Sequence, residues 1–529
     1  MFTRTLKTAA LSVSLAALIA GSVSAGTYIR GADSDPETLD QHKTSTVSEA
    51  NLLRDLYEGL VIYDSNAQII PGVAESWEVS EDGLTYTFNL RADAVWSNGD
   101  PVTAGDFVYS LQRIMNPETG AKYASILYPI KNAEAINGGD MAPAELGASA
   151  ADDKTLVITL ESATPYFLEL LQHQTGLPVH PASVEEHGAE FVQPGNMVTN
   201  GAYTLESIVP NDKIVLVKSD SFREADSVMI DRVEYIPFED RATCVRRFEA
   251  GEVHSCSDLP AEQIERLTAD LGDQVRVAPY LGVYYYGVNT AREPFSDVRV
   301  RQAMSMVIDR DFLAAEIFSG TMVPAYSWVP PGIGNYVAEA PQLEYAEMSM
   351  LDREDAAIAL MAEAGYGPDN PLTVEISYNT SENHKNAATA IADMWSILGI
   401  ETTYNVRDGS AHYAMLRDEK IHDVARAGWI GDYSDPQNFL FLNEGANTGF
   451  NYGNYNNAEY DKLMDDAAAE TDLAKRADIL ANAETVFLRD VPQIPLLYYS
   501  SRSLVSPKLQ GWNDNIQNVH PTRFMSVSE

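Results

Sequence analysis

Basic residues are scarce in this 529-residue chain: 36 Lys and Arg stand against 77 Asp and Glu, a formal net charge of −41. A polyanion would be repelled where no basic stripe compensates, which excludes nucleic acid as a partner. Cysteine is scarcer still. Cys244 and Cys256 are the whole complement, too few for a disulfide scaffold or a thiolate-held metal cluster. Long apolar runs are also missing. The uncharged stretch Ala9–Ala20 has 12 residues, short of the ~20 that a membrane-spanning helix requires.

Chemistry motifs are absent as well. There is no phosphate loop, no GxGxxG turn, no GxSxG elbow and no HExxH helix. Gly365-Tyr366-Gly367 runs into Pro368 and lacks the third glycine. The nine histidines are scattered, and His180 and His187 stand seven apart without an acidic partner in register. Asp33-Ser34-Asp35-Pro36-Glu37 has the acidity of a calcium loop but not its glycine or its terminal bidentate Glu. Nothing nominates an enzyme, and no cofactor is called for.

What is present begins at the N-terminus. Arg4 and Lys7 precede Ala9–Ala20, and Val23-Ser24-Ala25 supplies the small residues that a signal peptidase reads. This pattern predicts a cleavable export signal over 1–25 and a mature chain outside the cytoplasmic membrane, in the periplasm. Residues 26–529 then carry 34 basic against 77 acidic residues, a net −43. Such an excess is destabilised by self-repulsion that salt would screen. A saline habitat and a merely soluble acidic surface both account for it; a melting temperature indifferent to salt would count against the first.

A hydrophobic fraction of 45% with 9% aromatics is ordinary for a globular chain, and the length predicts two to four domains. Period-two alternation predicts strands over 84–90, 155–160 and 213–217. Helical spacing predicts helices over 49–60 and 106–115, the second stopped by Pro117. Further on, 353–364 reads as a helix closed by Gly365, 372–378 as a strand, and 384–398 as a helix ending at Gly399. This β–α–β order predicts an α/β fold with mixed sheets. No repeat or low-complexity linker separates the domains, so discontinuous pieces of chain must build them.

Several ordered segments carry a resemblance. They are Thr38-Leu39-Asp40 with 54–60 (RDLYEGL), 71–78 (PGVAESWE) continuing through 95–104 and 106–110, 294–303 (PFSDVRVRQA), and 423–429 (DVARAGW) with Asp432-Tyr433. Together they resemble the bacterial extracellular solute-binding proteins of family 5, and within them the oligopeptide receptors of ABC transporters. The resemblance spans essentially the whole mature chain. It implies a two-lobed α/β periplasmic binding protein (type II, cluster C-like) with an extra subdomain inserted in the first lobe. Lobe I would use 26–45, 165–279 and 498–529, its insertion 46–164, and lobe II 280–497. The two lobes would close on a ligand by a hinge. The implied function is capture of short peptides by a monomer and delivery to an inner-membrane ABC permease. Alternatives within the family are dipeptide, murein peptide, nickel chelate or opine-like ligands; a secreted hydrolase is an alternative outside it.

The same resemblance implies residue roles. Asp432 would pair with the ligand's α-amino group, because an ammonium buried without a carboxylate is prohibitive. Arg426, Arg417 and His384 would serve the carboxylate of ligands of different lengths. Gly428 and Ile430, with Val47 from the other lobe, would bind the ligand main chain as an added strand. Trp429, Tyr123 and Tyr498 would line side-chain pockets. This chain departs from its relatives in having Gly282 and Ile430 where some carry a disulfide, Ser410 for a pocket tryptophan and Gly287 for a pocket glutamate. A roomier, less selective pocket is the expected result. Cys256 stands near the cleft at a position that is usually aromatic. A Cys244–Cys256 bridge would form in an oxidising compartment, with two free thiols as the alternative.

Overall fold

A computed structural model describes residues 26–32, 35–44, 46–238, 240–447 and 449–528. The export segment expected over 1–25 lies outside the described residues, as does the side chain of Ser410.

The alternating stretches form strands. Thr85–Leu90 buries Tyr86, Phe88 and Leu90 and leaves Thr85, Thr87 and Asn89 half-buried. It pairs with Ala74–Val79 on one side and Thr155–Thr159 on the other, and Ala148–Asp152 completes a four-stranded antiparallel sheet. The helix Ala104–Met115 packs on this sheet. Its start is fixed by a capping box in which Thr103 and Asp106 satisfy each other's backbone N–H groups.

The helix expected over 49–60 runs over Val47–Leu56 instead. Thr46 and Glu49 cap its start. It ends early because the carbonyls of Gly59 and Leu60 are taken by the N–H groups of Val73 and Gly72 at 2.9 and 3.0 Å. That pairing pulls the chain from Tyr57 onward into extended backbone.

An eleven-stranded sheet unites the molecule. Its spine is an antiparallel pair of long strands, Val275–Val288 and Gln493–Val505. The pairing runs from Val275↔Leu504 to Pro279↔Ser500, slips, and resumes from Val283↔Tyr498 to Gly287↔Gln493. Beyond the slip in one direction lie Ser255–Ser257, Gly26–Ala32, Ile230–Pro237, Lys213–Lys218 and Tyr203–Val209. In the other lie Val424–Ile430, Leu372–Asn379 and Ile400–Arg407, and the short eleventh strand, Val323–Pro324, pairs with Gln493–Val505 off this path. Parallel pairs such as Gly26–Ala32 with Ile230–Pro237 stand beside antiparallel ones, so the sheet is mixed.

The apolar cores divide at the same place. One cluster draws on residues from Leu281 to Tyr498. A second draws on Tyr28 to Tyr235 and returns with Val505 to Met525. The architecture is therefore a two-lobed α/β fold whose lobes are joined by the two long strands. A third, small core surrounds the Cys244–Cys256 disulfide, which ties the helix Arg241–Glu249 to the strand Ser255–Ser257. Cys256 is buried in that core.

Candidate ligand-binding cleft

The strand Val424–Ile430 has one edge covered and the other largely bare. On its covered edge it pairs with the long strand from Val288↔Val424 to Gly282↔Ile430. On the other edge Leu372–Asn379 reaches it only at Val424 and Ala425. Two backbone bonds set the phase of the covered ladder: Asn289 N–H to Asp423 O at 3.0 Å, and Gly431 N–H to Leu281 O at 2.7 Å. Odd-numbered residues of the strand therefore bond the long strand, and even-numbered ones point away. Arg426 O accordingly bonds the His412 ring Nε2 at 2.8 Å. The N–H and C=O groups of Gly428 and Ile430 face the bare edge, where no strand pairs with them among the described residues. Ile430 also packs over Gly282, where an added Cβ would lie 2.5 Å from its Cδ1.

Beyond this edge stands Asp432. Its only hydrogen-bond partner among the described residues is Tyr123, which donates to Oδ2 at 2.6 Å from the other lobe. Burial raises the Asp432 carboxyl above its usual range, and the Tyr123 bond only partly offsets this. The turn carrying it is held firmly. Asp435 receives both terminal nitrogens of Arg476 at 2.8 Å, and the pair is buried. Gly334 N–H donates to Ser434 Oγ at 2.9 Å. From the other lobe, Tyr166 stacks on Tyr433 with centroids 5.1 Å apart.

Arg426, 7% exposed, forms no ion pair among the described residues. Its terminal nitrogens donate to Asn379 Oδ1, Tyr413 Oη and Tyr499 Oη, each at 3.0 Å. The guanidinium lies 4.8 Å from the Tyr284 ring, and its buried Nε has no partner among the described residues. A cation is thus housed by neutral oxygens and a ring face, with no carboxylate paired to it among the described residues.

The remaining expected residues fall in different settings. His384 lies beside Arg426 through Tyr284, whose Oη is 3.2 Å from its Nδ1. Burial first, then the charge of Arg426, pushes its imidazole down to about 3. At neutral pH it is therefore uncharged beside Arg426. Arg417 is exposed and pairs with its neighbour Asp418 at 2.9 Å, a solvated helix-end charge. Trp429 is half-buried: its indole N–H donates to Asn438 Oδ1 at 2.8 Å, and its ring abuts Phe441 and Phe450. Val47 is 51% exposed in the first turn of its helix. Tyr498 is buried, with its Oη bonded to the Ser327 backbone, and borders a cavity of about 720 Å³ beside the 323–342 segment. Its neighbour Tyr499 is the one that meets Arg426. The position Gly287 has room: an added Cβ would meet nothing closer than 3.7 Å.

Sequence reasoning did not find the Arg426 surroundings, Asn379, Tyr413, Tyr499 and Tyr284. The runs 284–286 and 498–499 were visible signals, since two aromatic strands that pair must expose some rings to a common face.

Comparison with known proteins fits this geometry. The Escherichia coli (strain K12) "Periplasmic oligopeptide-binding protein OppA" is 38% identical over 97% of both chains. Among solved structures, "MppA Periplasmic Murein Tripeptide Binding Protein, Unliganded Open Form" superposes with a TM-score of 0.87 at 35% identity, covering 95% of this chain and 98% of that one. The Haemophilus influenzae OppA in complex with RPPGFSPFR gives 0.77 at 35% identity, covering 96% and 99%. A family model, "Bacterial extracellular solute-binding proteins, family 5 Middle", matches residues 68–451. With most of the chain inside that match and full-length relatives on both sides of it, this chain belongs to the bacterial extracellular solute-binding proteins of family 5.

Proposed function

We propose that this chain is a periplasmic receptor that captures short peptides in the interlobe cleft and hands them to an inner-membrane ABC permease, without catalysis and as a monomer. The observation that carries the reading is a bare strand edge with a cation-seeking carboxylate near one end and an anion-seeking guanidinium near the other. A peptide main chain offers the same donors and acceptors whatever its sequence, so pairing it as an extra strand gives affinity without residue preference. Its two end charges then select for free termini. A strand advances about 3.3 Å per residue, so Arg426 and Asp432 are at most about 20 Å apart along the chain. An extended ligand that meets both charges directly has room for about six residues. With His384 neutral and Arg417 paired in solvent, Arg426 is the principal carboxylate partner, and His384 donates a hydrogen bond. The relatives' names, oligopeptide- and murein tripeptide-binding proteins, support the ligand class.

Within this reading the lobe boundaries are 26–45, 165–279 and 498–529 for lobe I, 46–164 for its insertion and 280–497 for lobe II. Closure bends the two long strands where their pairing slips. Native mass spectrometry of protein purified from its host tests the function, because a closed cleft retains its ligand. Peptides of up to six residues are expected. A retained nickel chelate or opine-like compound, or new fragments appearing when the protein is incubated with a peptide pool, would overturn the reading.

A further inference from the structure

Lobe I buries an arginine that no carboxylate touches. Arg30, in the strand Gly26–Ala32, is 6% exposed, and among the described residues it forms no ion pair. Its guanidinium makes two long hydrogen bonds, 3.5 Å to Tyr235 Oη and 3.3 Å to His520 O, both from Nη1. Five N–H donors are available on an arginine, so most of its capacity is uncommitted. The carboxylate in the neighbourhood, Asp55, is committed to other donors. It accepts from the Thr522 N–H at 3.1 Å, the Thr522 hydroxyl at 2.6 Å and Tyr235 Oη at 2.8 Å. Tyr235 stands between it and Arg30.

Arg30 borders a small cavity of about 30 Å³, with Ser48, Asn51, Ser503, Asn518 and His520 also in its wall. That is room for a group of a few atoms. The side chains of Ser48, Asn51 and Ser503 form no hydrogen bond to other described residues. His520 is 6% exposed; its Nε2 meets Asn518 Oδ1 at 3.0 Å, while its buried Nδ1 has no well-formed hydrogen bond among the described residues. Burial, then Arg30, holds this imidazole down to about 3, so it adds no charge. Trp512 stacks on its ring at 3.7 Å. The cavity therefore gathers one buried positive charge and several unspent donors, in a protein whose net charge is −41.

We propose that this cavity is an oxyanion subsite, with Arg30 as its counter-charge and Ser48, Asn51 and Ser503 as neutral hydrogen-bond donors. Charge-assisted bonds to a carboxylate or a phosphate-type ion would satisfy the guanidinium in a way that neutral oxygens do not. Ser48 and Asn51 lie three residues apart on one helix face, immediately after Val47. The oxyanion has two sources: a free inorganic ion, or, on the proposed receptor function, the acidic side chain of a bound peptide.

The test is calorimetric titration of the mature, ligand-free protein with inorganic phosphate, against chloride at matched ionic strength. Saturable phosphate binding is expected, weakened about tenfold or more in Arg30→Gln. Ser503→Val, which fills the cavity without touching the charge, should weaken it likewise and covers the case in which Arg30→Gln does not fold. An acidic tripeptide that competes with phosphate assigns the site to a ligand side chain; one that binds alongside it assigns the site to a free ion. A peptide that fails to bind at all counts against the proposed receptor function and leaves the phosphate result standing. Phosphate heats identical to chloride, or phosphate binding unchanged in both variants, would overturn the proposal.

Discussion

Asp432→Asn separates ligand binding from folding, because it should move the two in opposite directions. The Asp432 carboxylate is desolvated, and among the described residues it is bonded only to Tyr123. Burial raises its proton affinity above that of an unfolded chain. A carboxylic acid raised in this way favours the folded state while protonated, and that advantage is lost as pH climbs through its folded value. At neutral pH the ionised carboxylate is therefore a net cost to folding, and Asn should melt at the same temperature as the parent or above it. Binding should go the other way. A ligand ammonium enclosed beside Asn has no counter-charge, and removing one partner of a buried charge pair costs about 2–5 kcal/mol. That corresponds to roughly 30-fold to several-thousand-fold in Kd. Isothermal titration with a tripeptide and with its N-acetyl derivative reads this directly. The parent should discriminate strongly between the two, and Asp432→Asn should not. Parent affinity should also fall toward acid pH as Asp432 takes up its proton, by up to about tenfold per unit. Equal affinity of the parent for capped and free peptides would refute the reasoning.

Arg426→Met should weaken peptides with a free C-terminus by a similar 2–5 kcal/mol and leave C-terminally amidated ones nearly unchanged, measured by the same titration. A ligand carboxylate that neutralises Arg426 should raise the depressed His384, so binding near pH 5 should take up protons, seen as a buffer-dependent enthalpy that His384→Gln abolishes. Opening the Cys244–Cys256 bridge, whose loop spans 12 positions, should cost about 3 kcal/mol in denaturant unfolding with and without reductant. Asp435→Ala strands the buried Arg476 and should cost about 3–5 kcal/mol of stability by the same assay, with peptide affinity falling as the turn loosens.

Local structure was the legible part of the sequence. The helix read over 353–364 is found at Met350–Glu363, and the strand read over 372–378 at Leu372–Asn379. Both were fixed by spacing of apolar residues and by stop signals within a few positions. The helix from Val47 ended four residues earlier than its apolar spacing suggested. Its end is decided by backbone pairing with Gly72 and Val73, which no local pattern encodes. The site divides in the same way. Asp432, Arg426 and the 428–430 strand could be named because they lie in one short segment with a family resemblance. The housing of Arg426 could not, since Asn379, Tyr413, Tyr499 and Tyr284 come from four elements brought together by sheet order. The neutrality of His384 likewise depends on burial and on a neighbouring guanidinium that sequence does not place beside it.

The slip between Pro279 and Val283 sets Tyr280, Leu281 and Gly282 against Tyr499 alone. The two long strands share no rung with each other over that stretch, so on the proposed closure this is where their ribbon bends. On that reading the pivot's location is written into the chain and does not shift with the cargo. Guests of unequal size must be accommodated by how deep they sit and which rungs of the bare edge they use, not by swinging the jaws about a different axis.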